Sequence, residues 1–127
     1  MFESDTAFVD ALQDELDGAL RTVAEYDETG YTILFMREDV QATYEDADIQ
    51  NIHENVVLDT ISAEFLEGLF DAGSLTCSLQ LFDDAAMCSF PREGYDGLFV
   101  SFDADADADV SLVSLRRTCE RRTDDAE

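Results

Sequence analysis

Residues 30–36, Gly-Tyr-Thr-Ile-Leu-Phe-Met, form the longest nearly continuous apolar run of the chain. Thr29 and Gly30 close the run on one side, and the charged segment 37–39 closes it on the other. A short run rich in aromatic and β-branched residues, between boundaries of this kind, is typical of a strand buried on both faces. We therefore expect the domain to be organised around a strand at 31–36.

The residues before this run predict a helix and a hairpin. Ser4 or Asp5 can cap a first helix, because apolar side chains recur at helical spacing over residues 8–19. Residues 20–26 predict a strand, and the turn signal at 27–30 has the length of a hairpin loop. The strand at 31–36 is therefore expected to pair with 20–26.

Residues 39–71 have a helical pattern whose apolar stripe changes phase. One stripe consists of Ile49, Ile52 and Val56, and a second, on nearly the opposite side, consists of Leu58, Ile61, Phe65 and Leu69. A single straight helix would have to bury both stripes. We therefore expect two helices with a break near 59–62, the second of them ended by Gly73.

Residues 75–81 show the most regular alternation of apolar and polar side chains, which predicts a half-buried antiparallel strand. If Asp83 and Asp84 form a two-residue turn, the next strand pairs with it in a defined register. The expected pairs, all facing the core, are Leu81 with Ala86, Leu79 with Cys88, and Cys77 with Phe90.

A strand at 98–102 and a last helix with an inward stripe over residues 108–119 complete the pattern. The predicted order is α-ββ-α(α)-βββ-α, an α+β fold in which helices pack on a five-stranded antiparallel sheet. We expect one domain over residues 1–122 and a polar C-terminal tail over 123–127.

The charge of the chain points to a salt-rich environment. The 127 residues contain 31 acidic residues, seven arginines and no lysine, for a net charge of −24, while 46% of the residues are hydrophobic. In dilute buffer such a surface repels itself, whereas at molar salt the Debye length is only about 3 Å. The composition therefore indicates a folded protein from the cytoplasm of a halophile.

The sequence predicts neither a membrane span, nor secretion, nor a disulfide framework. No segment approaches the roughly 20 apolar residues of a membrane span, and residues 1–5 lack the basic region of a secretory signal. Cys77, Cys88 and Cys119 are widely spaced without a CxxC motif, which is typical of packed thiols in a reducing cytoplasm.

The alternating aspartates after the last strand resemble the start of an EF-hand loop, in which short carboxylates converge on calcium. However, the sixth loop position is Ala108 instead of glycine, and the twelfth is Ser114 instead of glutamate. The other interpretation is a solvated connector whose last aspartates cap the following helix. The candidate metal ligands are Asp103, Asp105 and Asp107.

Four of the seven arginines cluster on the predicted last helix: Arg116, Arg117, Arg121 and Arg122. Cations near a helix C-terminus favour its dipole and can pair with nearby carboxylates, which is a local explanation. The functional interpretation is a docking patch for an acidic partner or for a second copy of the chain. Nucleic acid is not an expected partner, because phosphate contacts would have to overcome the net charge and weaken steeply with salt.

The residue types required by common enzyme mechanisms are scarce. His53 is the only histidine, and His53-Glu54 does not extend to HExxH because position 57 is valine. Without lysine the chain has neither a Walker A loop nor a Schiff-base lysine, and it contains no GxGxxG motif. We therefore expect neither catalysis nor a cofactor.

The element order over residues 4–122 resembles that of Roadblock (dynein light chain) domains of the profilin-like group, and the whole chain resembles small acidic proteins of halophilic archaea. The Roadblock resemblance implies a homodimer that acts as a non-enzymatic regulator or scaffold. Our leading hypothesis is therefore a cytoplasmic interaction module that dimerises and binds a regulatory protein. The alternatives are a ligand-sensing domain of PAS-like plan, which requires an internal cavity, and a carboxylate-based enzyme.

The same resemblance leaves the position of strand 31–36 open. In a Roadblock-like sheet this strand lies at an edge, and the strand at 98–102 takes the middle. A hydrophobic edge strand is an association site unless a helix or another subunit covers it. The sequence thus permits either a central strand or a covered edge.

Overall fold

The computed structural model describes residues 4–16, 18–92, 96–104 and 112–125. The elements are α1 (Asp5–Leu16), β1 (Leu20–Tyr26), β2 (Tyr31–Met36), α2 (Glu38–Thr43), α3 (Asp46–Phe70), β3 (Ser78–Leu81), β4 (Ala85–Pro91), β5 (Gly97–Asp103) and α4 (Leu112–Asp125). The five strands form one antiparallel sheet. The predicted α+β class and element order are confirmed. Within the described residues, no helix is long and apolar enough to cross a membrane.

The strands are arranged in the order β2-β1-β5-β4-β3, so that β5 is central and β2 and β3 are at the edges. The core lies on one face of the sheet, beneath α1 and α4. Phe8 and Leu12 of α1, Val100 of β5, and Leu115 of α4 are all at most 1% exposed. Helices α2 and α3 lie over part of the opposite face, so the sheet is covered by helices on both sides.

The edge position of β2 corrects the expectation that the domain is organised around this strand. A β-bulge in the β1–β2 pairing leaves Leu34 as an extra residue. Leu34 and Phe35 pack against the core, whereas Ile33 and Met36 face the space beneath α2 and α3. The strand is apolar on both sides because helices cover both faces of the sheet. It is nevertheless only partly buried, since it has one neighbouring strand.

The predicted helix break at 59–62 is wrong, because α3 is continuous from Asp46 to Phe70. The interruption lies earlier, between α2 and α3. There Glu45 caps α3, and its capping box with Asp48 satisfies backbone donors at the helix start. The change in phase of the apolar stripe marks a change in what the helix contacts. The first half lies over the sheet, while Leu58, Phe65 and Leu69 of the second stripe are exposed.

The β3–β4 hairpin confirms the predicted register but not the predicted burial. Leu79 is paired with Cys88 and Leu81 with Ala86. Leu79 is nevertheless 40% exposed and Leu81 is 71% exposed, because β3 is the last strand of the sheet. The predicted pair of Cys77 with Phe90 falls just outside β3, which begins at Ser78.

Candidate functional site

The second half of α3 exposes four large apolar side chains. Leu58, Phe65 and Leu69 follow one another at spacings of seven and four residues, so they lie on one side of the helix. They are 60%, 71% and 61% exposed, and Phe70 beside them is 69% exposed. Ala63, on another side of the same half, is buried. We call the four exposed residues the α3 apolar surface.

The edge strand β3 adds a second group of exposed apolar residues, Leu79, Leu81 and Phe82. Leu79 and Leu81 pair with Cys88 and Ala86, so they lie on the face of the sheet that packs against α1 and α4, opposite α3. Of the ten large apolar residues that are exposed in the described part of the chain, four are on α3 after residue 57 and three are at β3. The group of four on one helix marks a candidate interaction surface, whereas isolated exposed apolar residues are ordinary.

The first half of α3 and the sheet line a partly open cavity of about 70 Å³. Most of its lining is apolar and comes from α2, α3 and four strands, including Ile49, Val56, Met87 and Phe99. Such a cavity has room for a few water molecules.

His53 is 8% exposed and lies at this cavity. Its Nε2 is 2.7 Å from the carbonyl oxygen of Asp27. Since a carbonyl only accepts, Nε2 carries the proton and donates this bond. Its Nδ1 is buried without a hydrogen-bond partner in the structure. The ring also contacts that of Tyr31, at 5.4 Å between centroids, so His53 ties α3 to the β1–β2 hairpin.

The four arginines predicted as a docking patch lie on α4. The guanidinium of Arg116 is 2.8 Å from the carboxylate of Glu120, one helical turn away. Arg117 and Arg121 are exposed and, four residues apart, lie on one side of α4. The side chain of Arg122 is outside the described part of the chain. The structure thus brings at least two of the four cations to one exposed helix side.

Asp103, predicted as a metal ligand, accepts hydrogen bonds from arginine. Its carboxylate is 2.7 and 3.0 Å from the two terminal nitrogens of Arg37, and 3.4 Å from Nη1 of Arg21. The hydrogen bond from Arg37 is the main cause of a lowered pKa for Asp103. Asp105 and Asp107 lie outside the described residues. Among the residues that are described, no three potential ligands are grouped for a metal ion.

We expect the substitution Asp103→Asn to lower the free energy of unfolding by about 1–2 kcal/mol at neutral pH, because a charge-assisted, bidentate contact is lost. The folded-state pKa of Asp103 is depressed below 3.8, so its stabilisation is complete above the unfolded pKa and is lost as pH falls through the folded value. The difference between the native chain and the variant should therefore shrink as pH falls below about 4.

Denaturant unfolding at several pH values in molar salt measures this difference. Asp39→Asn is the matched control, because Asp39 pairs with the same Arg37 but its side chain is 64% exposed. We expect the control to be destabilised less. Equal losses for the two variants, or a difference independent of pH, would contradict this account of Asp103.

A family model described as "Domain of unknown function (DUF7522)" matches residues 6–124. The chain belongs to this family. The match extends from α1 into α4, so the α3 apolar surface, strand β3 and the cavity all lie within the DUF7522 domain. The chain matches no curated protein and no solved structure.

Two features of this DUF7522 domain were missed by reasoning from the sequence. The exposure of Phe65 and Leu69 is not predicted, because the apolar stripe indicates core positions of a second helix. Their phase shift relative to Ile49 and Ile52 was the signal that could have revealed it. The contact of His53 with the carbonyl of Asp27 joins residues 26 apart and has no signature in the sequence.

Proposed function

We propose that this DUF7522 domain is a non-enzymatic interaction module that forms a homodimer through the α3 apolar surface. The observation that carries the proposal is the concentration of exposed large apolar residues on the second half of α3. We further propose that the dimer acts as a regulatory or scaffold protein in the cytoplasm of a halophilic archaeon. A second protein would bind elsewhere on the dimer.

A second copy of the chain fits the α3 apolar surface for a geometric reason. An interface around a two-fold axis is formed by the same patch on both subunits, so the patch must be self-complementary. An apolar stripe along one side of a helix meets this requirement, because two such helices can pack side by side with their stripes facing.

Electrostatics make the proposed dimer dependent on salt. Helix α3 contains acidic residues such as Glu54, Asp59 and Glu64 and no lysine or arginine, and each chain has a net charge of −24. Two copies therefore repel one another in dilute buffer, and only screening allows the apolar contact to form. Dimerisation and the salt-rich environment indicated by the composition thus support each other.

The regulatory partner is proposed to bind at the arginines of α4. Arg117 and Arg121 are exposed there. Arg21, Arg37 and Arg92 are the arginines outside α4, and their side chains are within the fold, each paired with a carboxylate of the sheet. This helix lies on the opposite face of the sheet from α3. An acidic protein surface could therefore dock on α4 while α3 is occupied by the second copy.

The arrangement of strands also supports a regulatory role of the Roadblock type. That resemblance implies a central strand at 98–102 and an edge strand at 31–36, and the sheet has this order. A shared strand order is a weak argument for function, so the proposal depends mainly on the exposed apolar residues.

We expect the double variant Phe65→Glu/Leu69→Glu to be monomeric under conditions in which the native chain is dimeric, because two charges per subunit would be buried in the interface. Val113→Glu is the matched control: Val113 is also a helical apolar residue, 54% exposed, but it lies on α4. Size-exclusion chromatography with light scattering in molar salt measures the mass of each. A dimeric double variant, or loss of the dimer in the control alone, would refute the proposed interface.

The ligand-sensing alternative receives less support from the structure. Sites for drug-sized ligands usually enclose roughly 300–1,000 Å³. The cavity beneath α3 measures about 70 Å³. The proposed interaction module is therefore the function that the described residues support best.

A further inference from the structure

Two of the three cysteines are neighbours at the β3–β4 hairpin. Cys77 directly precedes β3, and Cys88 lies on β4 opposite Leu79. This register places Cys77 diagonally across from Cys88, and Cys77 packs against the core cluster that contains Cys88. Both are free thiols that lie close to one another, although the sequence predicts all three cysteines to be packing residues.

The two thiols differ in accessibility. Cys77 is partly buried and packs at the border of the core, whereas Cys88 is 0% exposed. A small oxidant in solvent can therefore reach Cys77 before it reaches Cys88. Residues 75–77 lie outside regular secondary structure, so the backbone at Cys77 can adjust to the geometry of a disulfide more easily than the interior of a strand.

The protonation of the pair follows from this proximity. A hydrogen bond from Cys88 lowers the pKa of Cys77, because it stabilises the thiolate. The pKa of Cys88 is raised by donating that bond and by burial. Burial also raises the pKa of the remaining thiol, Cys119. Since the thiolate is the nucleophile, Cys77 is the most reactive of the three.

We propose that Cys77 and Cys88 are a redox-responsive pair, in which Cys77 is the thiol that reacts and Cys88 is the thiol that resolves. Hydrogen peroxide oxidises the Cys77 thiolate to a sulfenic acid: sulfur takes one peroxide oxygen, and the other oxygen leaves as hydroxide, which becomes water. The Cys88 sulfur then attacks the Cys77 sulfur, and the sulfenic oxygen leaves as a second water. One disulfide forms from two thiols, and one peroxide is reduced to two waters.

The disulfide would fix the start of the edge strand to its neighbour. The loop closed between residues 77 and 88 contains β3 and its turn, which carry the exposed Leu79, Leu81 and Phe82. Closing such a loop restricts the unfolded chain and stabilises the hairpin. This inference is independent of the proposed dimer, because both cysteines belong to the same chain.

The test uses the full chain in molar salt, treated with hydrogen peroxide, then denatured, alkylated with iodoacetamide and analysed by intact and peptide mass spectrometry. We expect the reduced chain to take up three alkyl groups and the oxidised chain only one, on Cys119, with a Cys77–Cys88 peptide lighter by two hydrogens. No disulfide at peroxide levels that oxidise free glutathione, a disulfide between chains, or earlier modification of Cys119 would overturn the proposal.

Three variants separate the roles of the thiols. Cys77→Ser should abolish the disulfide, and Cys88→Ala should leave a sulfenic acid on Cys77 that dimedone captures. Cys119→Ala, a change at another buried cysteine, should oxidise as the native chain does. Circular dichroism establishes that each variant is folded. Dimedone capture at Cys119 instead of Cys77 in the Cys88→Ala variant would contradict the assignment.

Discussion

When the chain is transferred from molar salt into millimolar buffer, it is expected to lose most of its helix and strand circular dichroism. The net charge of −24 is spread over a chain of only 127 residues. At 1 M salt the Debye length is about 3 Å, and at 0.01 M it is about 30 Å, comparable with the size of the domain. In dilute buffer each carboxylate therefore repels most of the others, which favours the expanded chain.

Screening can be distinguished from a general salt effect on hydrophobic burial. Potassium chloride and potassium sulfate at equal ionic strength should restore the same fraction of structure if screening is the cause. Much greater recovery in sulfate would indicate strengthened burial instead. An unchanged spectrum in millimolar buffer would contradict adaptation to high salt altogether.

The second large effect is expected at Phe8. This side chain is 0% exposed on α1, and Phe8→Ala should lower the free energy of unfolding by about 3–5 kcal/mol, since it removes a buried ring and leaves a cavity. Phe65 on α3 is 71% exposed, so Phe65→Ala should change the stability of the monomer by no more than about 0.5 kcal/mol.

The two phenylalanine variants form a matched pair, because each removes the same ring from a helix. Denaturant unfolding of dilute protein in molar salt measures stability, and light scattering of concentrated protein measures association. We expect Phe8→Ala to affect mainly stability and Phe65→Ala mainly association. A large loss of monomer stability for Phe65→Ala would show that its ring packs within its own chain.

The features predicted correctly from the sequence are those determined by neighbouring residues. The pairing of Leu79 with Cys88 follows from alternation on both sides of a short turn, and the structure confirms it. The order of helices and strands follows in the same way from local periodicity and turn signals.

The features that are predicted wrongly, or that the sequence does not decide, depend on residues distant in the chain. Whether Tyr31–Met36 is central or at an edge depends on which strand β5 joins, and no local pattern encodes this. The break expected at 59–62 assumed that every apolar stripe is buried within the same chain. Helix α3 violates this assumption, because its second half extends an apolar side into solvent.

The candidate sites also differ in whether they depend on neighbouring residues or on residues distant in the chain. The arginine cluster on α4 was visible in the sequence, because its members are close together on one helix. The proximity of Cys77 and Cys88 depends on the course of the chain just before β3. The ion pair of Arg37 with Asp103 joins residues 66 apart in the chain, which the antiparallel pairing brings to the same end of the sheet.

The mass of the native chain in molar salt, measured by light scattering during size-exclusion chromatography, tests the proposed dimer most directly. One chain has a mass of 14.2 kDa, so a dimer has twice that mass. We predict the doubled mass at micromolar concentration in molar salt. A mass of one chain at every concentration, with the spectrum of a folded protein, would contradict the proposal that α3 binds a second copy.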